Sequence, residues 1–277
     1  MAAPVQHTDN NDTRLLGADL TVIGNVGDRL KVTQGFHADG SVMPFDLAVA
    51  RGLVAGHTIV NKFGSNPAIK STGFETVWTH GELYPWPTGA ETVNVASTDA
   101  NDTSAGTGAR TVLIQGLNSS YVETEETITL NGLSNVTSVN SYLRLHRAII
   151  KTGGTGGKNV GEITMTNTTA GDVICAIEAG KNQTLQCFWT VPAGKTLYLT
   201  SYYFTSENSL PSVIELYARP FGELFQIKHR LDIGASLPIG DIKPFTYAEK
   251  TDIDFLARAQ SGSTRVSAGF SGYLIED

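Results

Sequence analysis

From residue 91 onward, apolar and polar positions alternate in short runs that glycine, proline and asparagine interrupt. Val93 and Val95 alternate with polar neighbours, Thr111–Ile114 is a short apolar run, and Ile128 and Leu130 share one face of a Thr- and Glu-rich stretch. Leu143, Leu145 and Ile149 continue the pattern over 141–151, Ile163 and Met165 over 159–168. Further strand-like runs cover 172–178, 183–191, 196–206, 212–219, 224–231, 251–259 and 264–275. Period-two alternation puts one face of each run into a core and the other toward water. Gly116-Leu117-Asn118, Asn131-Gly132, Pro192-Ala193-Gly194, Pro220-Phe221-Gly222 and Gly262 supply the turns between them. Short strands at such spacing predict an all-β chain with an antiparallel β-sandwich or jelly-roll-like domain over 91–277.

The first ninety residues differ. Residues 1–14 are polar, and Leu20–Ile23 and Leu30–Val32 are short strand-like pieces around a Gly24–Asp28 turn. Residues 45–56 hold the best helix pattern, with Asp46 placed to cap its start and Gly52 or Gly56 to end it. Residues 1–56 therefore read as an extended N-terminal arm with a short helix, an attachment segment too small to bury its own apolar side chains. Residues 57–90 carry Gly64, Gly73, Gly81, Gly89, Pro67, Pro85 and Pro87, which predicts an irregular connection.

Composition agrees with many strands and turns. The chain has 277 residues, enough for a sizeable core. Charged residues make up 17%, below the roughly 25% of an average soluble domain, and Thr, Ser, Asn and Gly fill the gap. A net charge of -7 without a basic run argues against direct contact with nucleic acid. No run reaches the length of a membrane span, and residues 1–10 lack the pattern of a secretory leader, so synthesis in a cytoplasm and no membrane contact are expected. In that setting Cys175 and Cys187, both on strand-like runs, are expected to be buried, reduced thiols.

Candidate chemistry is sparse. His7, His37, His57, His80, His146 and His229 are scattered without zinc-site spacing. Gly153-Gly154-Thr155-Gly156-Gly157-Lys158 departs from a phosphate-binding loop because Asn159 follows the lysine, and it reads as a surface loop. Glu123, Glu125 and Glu126 read as a solvated strand face, and Asp99, Asn101 and Asp102 as a polar loop without calcium-loop spacing. The chain carries no nucleophile elbow and no dinucleotide fingerprint. No catalytic residue, metal site or cofactor is expected, and the chain reads as a non-enzyme. Trp78, Tyr84 and Trp86 stand out as an aromatic cluster that pins the connection to the sandwich, anchors a partner subunit or forms a sugar platform.

Two stretches carry a resemblance. Gly24-Asn25-Val26-Gly27-Asp28-Arg29-Leu30-Lys31-Val32 resembles short segments of phage fibre and head-decoration proteins. Phe63-Gly64-Ser65-Asn66-Pro67-Ala68-Ile69, with Thr76-Val77-Trp78 and Tyr84-Pro85-Trp86-Pro87, is similar to the front of virion proteins of aquatic tailed phages. The resemblance covers roughly residues 20–130 and implies a structural virion protein. The expected role is capsid decoration or cementing, with the major capsid protein or another virion protein as partner and a homo-oligomer, a trimer first, as the working state. The alternative is a tail or fibre protein that binds a host receptor or glycan. Leu20, Val22, Val26, Leu30, Val32, Trp78, Tyr84 and Trp86 are the partner-contact residues this reading selects.

Overall fold

A computed structural model describes residues 16–17, 20–22, 33–35, 43–207, 211–234, 236–239 and 243–277. It separates into two units, Met1–Ile59 and Val60–Asp277. In the first, β1 (Leu16–Gly17), β2 (Leu20–Val22) and β3 (Thr33–Gly35) pair antiparallel in that order. The helix α1 (Phe45–Ala50) follows. Its single apolar face buries Ala48 and Val49. Pro44 takes the N-cap position and Asp46 falls in the first turn, while Gly52 at φ +69° ends the helix in the left-handed conformation glycine tolerates.

The larger unit is two β-sandwiches, one inserted into the other. The inserted one is contiguous in sequence. Its first sheet has the order β10 (Arg144–Gly153), β7 (Ala109–Leu117), β8 (Glu123–Thr129). Its second has the order β12 (Val173–Ile177), β11 (Ile163–Asn167), β6 (Val93–Ser97), β9 (Val136–Thr137). Alternation decides which side chains meet: Val93, Val95, Ile163 and Met165 face Val112, Ile114, Leu145 and Ala148 in one buried cluster. Each such side chain stabilises by roughly 1.5–3 kcal/mol on burial.

The outer sandwich is discontinuous. One sheet runs β17 (Ser236–Ile239), β14 (Lys195–Ser206), β20 (Ser263–Glu276), β4 (His57–Lys70), and β18 (Phe245–Tyr247) also pairs with β14. The other runs β13 (Phe188–Thr190), β19 (Asp252–Ala259), β15 (Ser212–Arg219), β16 (Gln226–Ile233), with β5 (Glu75–Thr76) paired to β19. Leu197, Leu199, Phe204, Ala268 and Phe270 of the first pack on Ile214, Leu216, Ile253, Phe255 and Ala257 of the second. Phe255 and Phe270 stack across the middle at 5.5 Å.

The chain is therefore antiparallel and almost entirely β, as the alternation predicts. The structure differs from the sequence reading in two places. Residues 57–70 form a fourteen-residue strand instead of irregular connection. Its Pro67 is tolerated because β4 lies at the sheet edge. The β-rich stretch after residue 91 makes one complete sandwich and only part of a second, which β4 and β5 complete.

The neck between the sandwiches explains Gly64. The chain leaves the outer sandwich at 77–79 and returns at 185–187, and the two crossings pair: Cys187 N–H donates to Val77 O at 2.9 Å and Thr79 N–H to Leu185 O at 3.1 Å. Strand β4 runs against both. A Cβ on Gly64 would lie 2.4 Å from Cys187 N and 2.4 Å from Val77 O, too close for any residue but glycine.

Candidate functional site

The face where the sandwiches meet gathers the charges that the rest of the core excludes. Asp252 opens β19, and register places Thr190 of β13 and Arg219 of β15 directly opposite it on either side. Thr190 Oγ1 donates to Asp252 Oδ1 at 2.5 Å, and Arg219 donates through Nε (3.0 Å) and Nη2 (2.5 Å) to Oδ2. Arg144, at the start of β10 in the inserted sandwich, reaches across and donates Nε to Oδ1 and Nη2 to Oδ2, both at 3.2 Å. Its Nη1 donates to Pro87 O and Leu143 O. Arg144 and Asp252 are 2% and 3% exposed, so this is a buried pair with its hydrogen bonds met on both sides. Trp86 lies against both guanidinium groups, 5.1 Å from Arg144 and 5.5 Å from Arg219, and Arg219 also covers Phe225 at 4.5 Å.

A second buried set links β4, β10 and β13. Lys62 of β4 donates Nζ to His146 O, and Gln186 Nε2 donates to Leu145 O at 2.7 Å. Thr190 N–H donates to His146 Nε2 at 3.2 Å, which requires that nitrogen to be unprotonated. Burial, then the nearby Lys62, holds the His146 imidazole well below its usual range, in agreement with that bond. Burial first, and Arg147 second, bring the Lys62 ammonium down to about 7. Asp254, two residues beyond Asp252 on the same face of β19, is pushed up to about 7 by burial, against bonds from Thr76 Oγ1 (3.1 Å) and Trp86 Nε1 (3.3 Å) to its Oδ2. Its Oδ1 is buried without a partner. Cys175 and Cys187 are buried free thiols, as expected, and burial raises Cys175 to about 12 and Cys187 further. A thiol so raised is a poor nucleophile. These groups tie elements together.

One half-open pocket of about 300 Å³ does reach solvent at this junction. Arg144, Arg219 and Asp252 line its inner side, and Pro87, Thr88, Tyr121, Pro220, Phe221, Glu223 and Lys250 surround them. Tyr121 and Phe221 meet edge to face at 5.7 Å, and the Lys250 ammonium stands 5.4 Å from the Phe221 ring. Tyr121 (φ +62°), Lys250 (φ +61°) and Trp86 (φ +49°) all adopt the left-handed backbone that non-glycine residues avoid. Two of them are fastened to one turn: Ala193 N–H donates to Tyr121 O at 2.9 Å, and Lys250 N–H to Val191 O at 2.8 Å. Each such residue costs of order 1–3 kcal/mol, so the surroundings hold these side chains in place against their backbone preference.

Of the residues selected from sequence, Trp78 and Tyr84 lie inside the chain's own core, at 1% and 3% exposure. With Phe188 and the half-buried Trp86 they form a chain of ring contacts at 3.9–5.9 Å that closes one end of the inserted sandwich. Trp78 and Tyr84 thus pin the connection to the chain's own core, one of the three readings of the stretch. Leu20 and Val22 stand on β2, and Val26, Leu30 and Val32 lie outside the described residues. Asp102 is fully buried and accepts bonds from Ser97 Oγ and from the N–H groups of Ala109, Val160 and Gly161 at 2.6–2.9 Å. It knots three loops and has no free oxygen to offer a cation. Among the described residues no cluster of His, Cys, Asp and Glu could hold a metal.

Arg144, Arg219, Lys250 and Asp252 were not selected from sequence. The available signal was charge inside apolar runs: Asp252-Ile253-Asp254-Phe255 puts two carboxylates on one strand face, and Arg219 ends a largely apolar run. A buried carboxylate needs a cation, but one sequence does not say which.

No helix among the described residues is long and apolar enough to cross a membrane. No family model matches the chain, and no curated protein matches it. Among solved structures, that of the Gt strain of infectious bursal disease virus is 12% identical, covering 84% of this chain and 78% of that one, with a TM-score of 0.18. The VP2 subviral particle of the same virus is also 12% identical over 84% and 78%, with a TM-score of 0.17. Likenesses this weak carry no argument about this chain.

Proposed function

We propose that the protein is a structural component of a tailed-phage virion, a capsid decoration or cement protein. The observation that carries this reading is where the buried charge goes. Arg144, Asp252, Arg219, Lys62 and His146 are spent on fastening two sandwiches into one body. A separate N-terminal unit precedes that body. Such a division suits a protein that grips a shell with one part and presents the other. The resemblance of 24–32 and 63–87 to phage virion segments points the same way. The partner in this reading is the major capsid protein or another virion protein, and a homo-oligomer, first a trimer, multiplies weak contacts by symmetry. Binding to the assembled shell stabilises it by mass action.

The test is quantitative mass spectrometry of purified particles, with the protein located in a reconstruction of the particle. Hundreds of copies on the head support the reading. A few copies at the tail move the protein to the receptor-binding alternative, and absence from the particle ends both. Removal of residues 1–56 leaves β4 whole, since it begins at His57. The truncated chain is expected to fold and to lose particle binding, which co-sedimentation with empty shells measures.

A further inference from the structure

We propose that the junction pocket is a binding site for one carboxylate-bearing sugar ring, the exposed unit of an acidic polysaccharide. The assignment stands on the pocket and does not depend on where in a particle the protein sits.

Size comes first. At about 300 Å³ the pocket lies at the lower limit of small-molecule sites, room for a single ring and not for a helix or strand of a partner. Its wall has the two surfaces a pyranose needs. The rings of Tyr121 and Phe221, with Pro87 and Pro220, offer apolar faces for C–H groups, and Phe221 is 64% exposed. Among the described residues, three side-chain polar groups of the lining residues have no hydrogen-bond partner: the Tyr121 hydroxyl, the Thr88 hydroxyl and Arg219 Nη1. An arginine that spends Nε and Nη2 on Asp252 keeps Nη1 oriented and free.

Charge selects an acid. Asp252 offsets only one of the two guanidinium charges of Arg144 and Arg219, and Lys250, 3.5 Å from Glu249 and held over Phe221, adds a further cation to the lining. A sugar carboxylate placed between Lys250 Nζ and Arg219 Nη1 gains charge-assisted bonds. Besides Glu249, which already pairs with Lys250, Glu223 is the opposing charge. It is exposed, already accepts from Gln226 Nε2 at 3.3 Å, and suits sugar hydroxyls, which a simple anion lacks. The backbone strain at Tyr121 and Lys250 supports the same conclusion independently. Both side chains are held by bonds to the 191–193 turn, the preorganisation a binding site uses.

Isothermal titration calorimetry of the full chain with a trigalacturonate, against neutral galactotriose, tests the assignment. Saturable binding of the acidic sugar is expected, about tenfold tighter than the neutral one. Phe221→Ala and Lys250→Gln should each weaken it about fivefold to tenfold, while Lys158→Gln, which removes the same charge from another loop, leaves it unchanged. Both pocket positions are at least partly exposed, so circular dichroism should confirm that the variants fold. A charge-reversing Lys250→Glu that abolishes binding in a folded protein adds to the case. No saturable binding at millimolar sugar, equal binding of the neutral sugar, or unchanged affinity in the pocket variants overturns it. Binding of an acidic peptide in place of the sugar overturns it too.

Discussion

The two sandwiches of the larger unit use the same packing but differ in how the chain builds them. The inserted one is assembled from strands consecutive in sequence, with a core that is mostly aliphatic between its two sheets. The outer one pairs β4 with β20 across nearly the whole unit and fills its centre with Phe204, Phe255 and Phe270. Yet the inserted core is the less self-sufficient of the two. Trp78, Tyr84 and Phe188, which close its end, come from the chain entering and leaving it. A contiguous module can thus depend on a discontinuous neighbour for its last layer, and the buried Arg144–Asp252 pair makes that dependence electrostatic as well.

The strongest way to break this comparison is to remove Asp252. Asp252→Ala leaves Arg144 buried with its carboxylate gone and Arg219 without its partner. A loss of about 3–5 kcal/mol is expected in urea denaturation. If the sandwiches depend on each other, wild type unfolds in one transition and the variant shows the inserted part melting first. Two separate transitions in the wild type would show that the neck and the ion pair couple nothing.

Gly64→Ala probes the neck itself. The added methyl would meet backbone on both sides at 2.4 Å, and backbone cannot rotate away as a side chain can. Overpacking of this kind costs about 1–3 kcal/mol. Thermal unfolding followed by circular dichroism measures it, and a change below about 0.5 kcal/mol would mean that β4 has freedom to shift.

The next prediction concerns pH, and the two buried groups act in opposite directions. Asp254 has its folded pKa raised from 3.8 to about 7. Between those values the folded state holds the proton more tightly than the unfolded chain, so its contribution to stability falls as pH rises from 4 to 7. Lys62 is lowered from 10.5 to about 7. Between 7 and 10.5 the unfolded chain binds more protons, so stability rises with pH over that window. Together these two groups place a minimum near neutral pH. Asp254→Asn should abolish the falling limb and Lys62→Met the rising one, each adding about 1–2 kcal/mol at pH 7.5. Denaturation series at pH 5, 7.5 and 9 check this, and parallel profiles for wild type and variants would contradict it.

How much of this was legible in the sequence follows from range. The twelve strand runs after residue 91 were readable because alternation is local, and strands at Val93–Ser97, Ala109–Leu117 and Ser263–Glu276 sit where the pattern puts them. Strand β4 was obscured by Gly64 and Pro67, residues that ordinarily mark loops. Here one allows a close backbone approach and the other marks a sheet edge. The short β9 (Val136–Thr137) and β17 (Ser236–Ile239) have too few residues for a period to show. The junction was hidden for a different reason. Arg144 and Asp252 are 108 positions apart, and their meeting depends on an insertion that no local pattern declares.

The smallest effect is expected from a second ion pair that also joins the sandwiches. Lys195 of β14 donates to Glu123 of β8 at 2.7 Å, a shorter contact than either Arg144–Asp252 bond. Distance alone would rank it first. Exposure reverses the order: the Glu123 side chain is 58% exposed, so water screens the attraction and solvates either charge when the other is removed. Nothing is stranded in a low dielectric, whereas loss of Asp252 strands Arg144. Glu123→Gln should therefore cost no more than about 0.2–1 kcal/mol, and the difference from wild type should shrink further in 0.5 M salt. A Glu123→Gln, Lys195→Gln double-mutant cycle in urea, at low and high salt, isolates the pair. A coupling energy as large as that of Arg144 with Asp252 would show that this rim is far drier than its exposure indicates, and that the two sandwiches are held at their edge as firmly as at their centre.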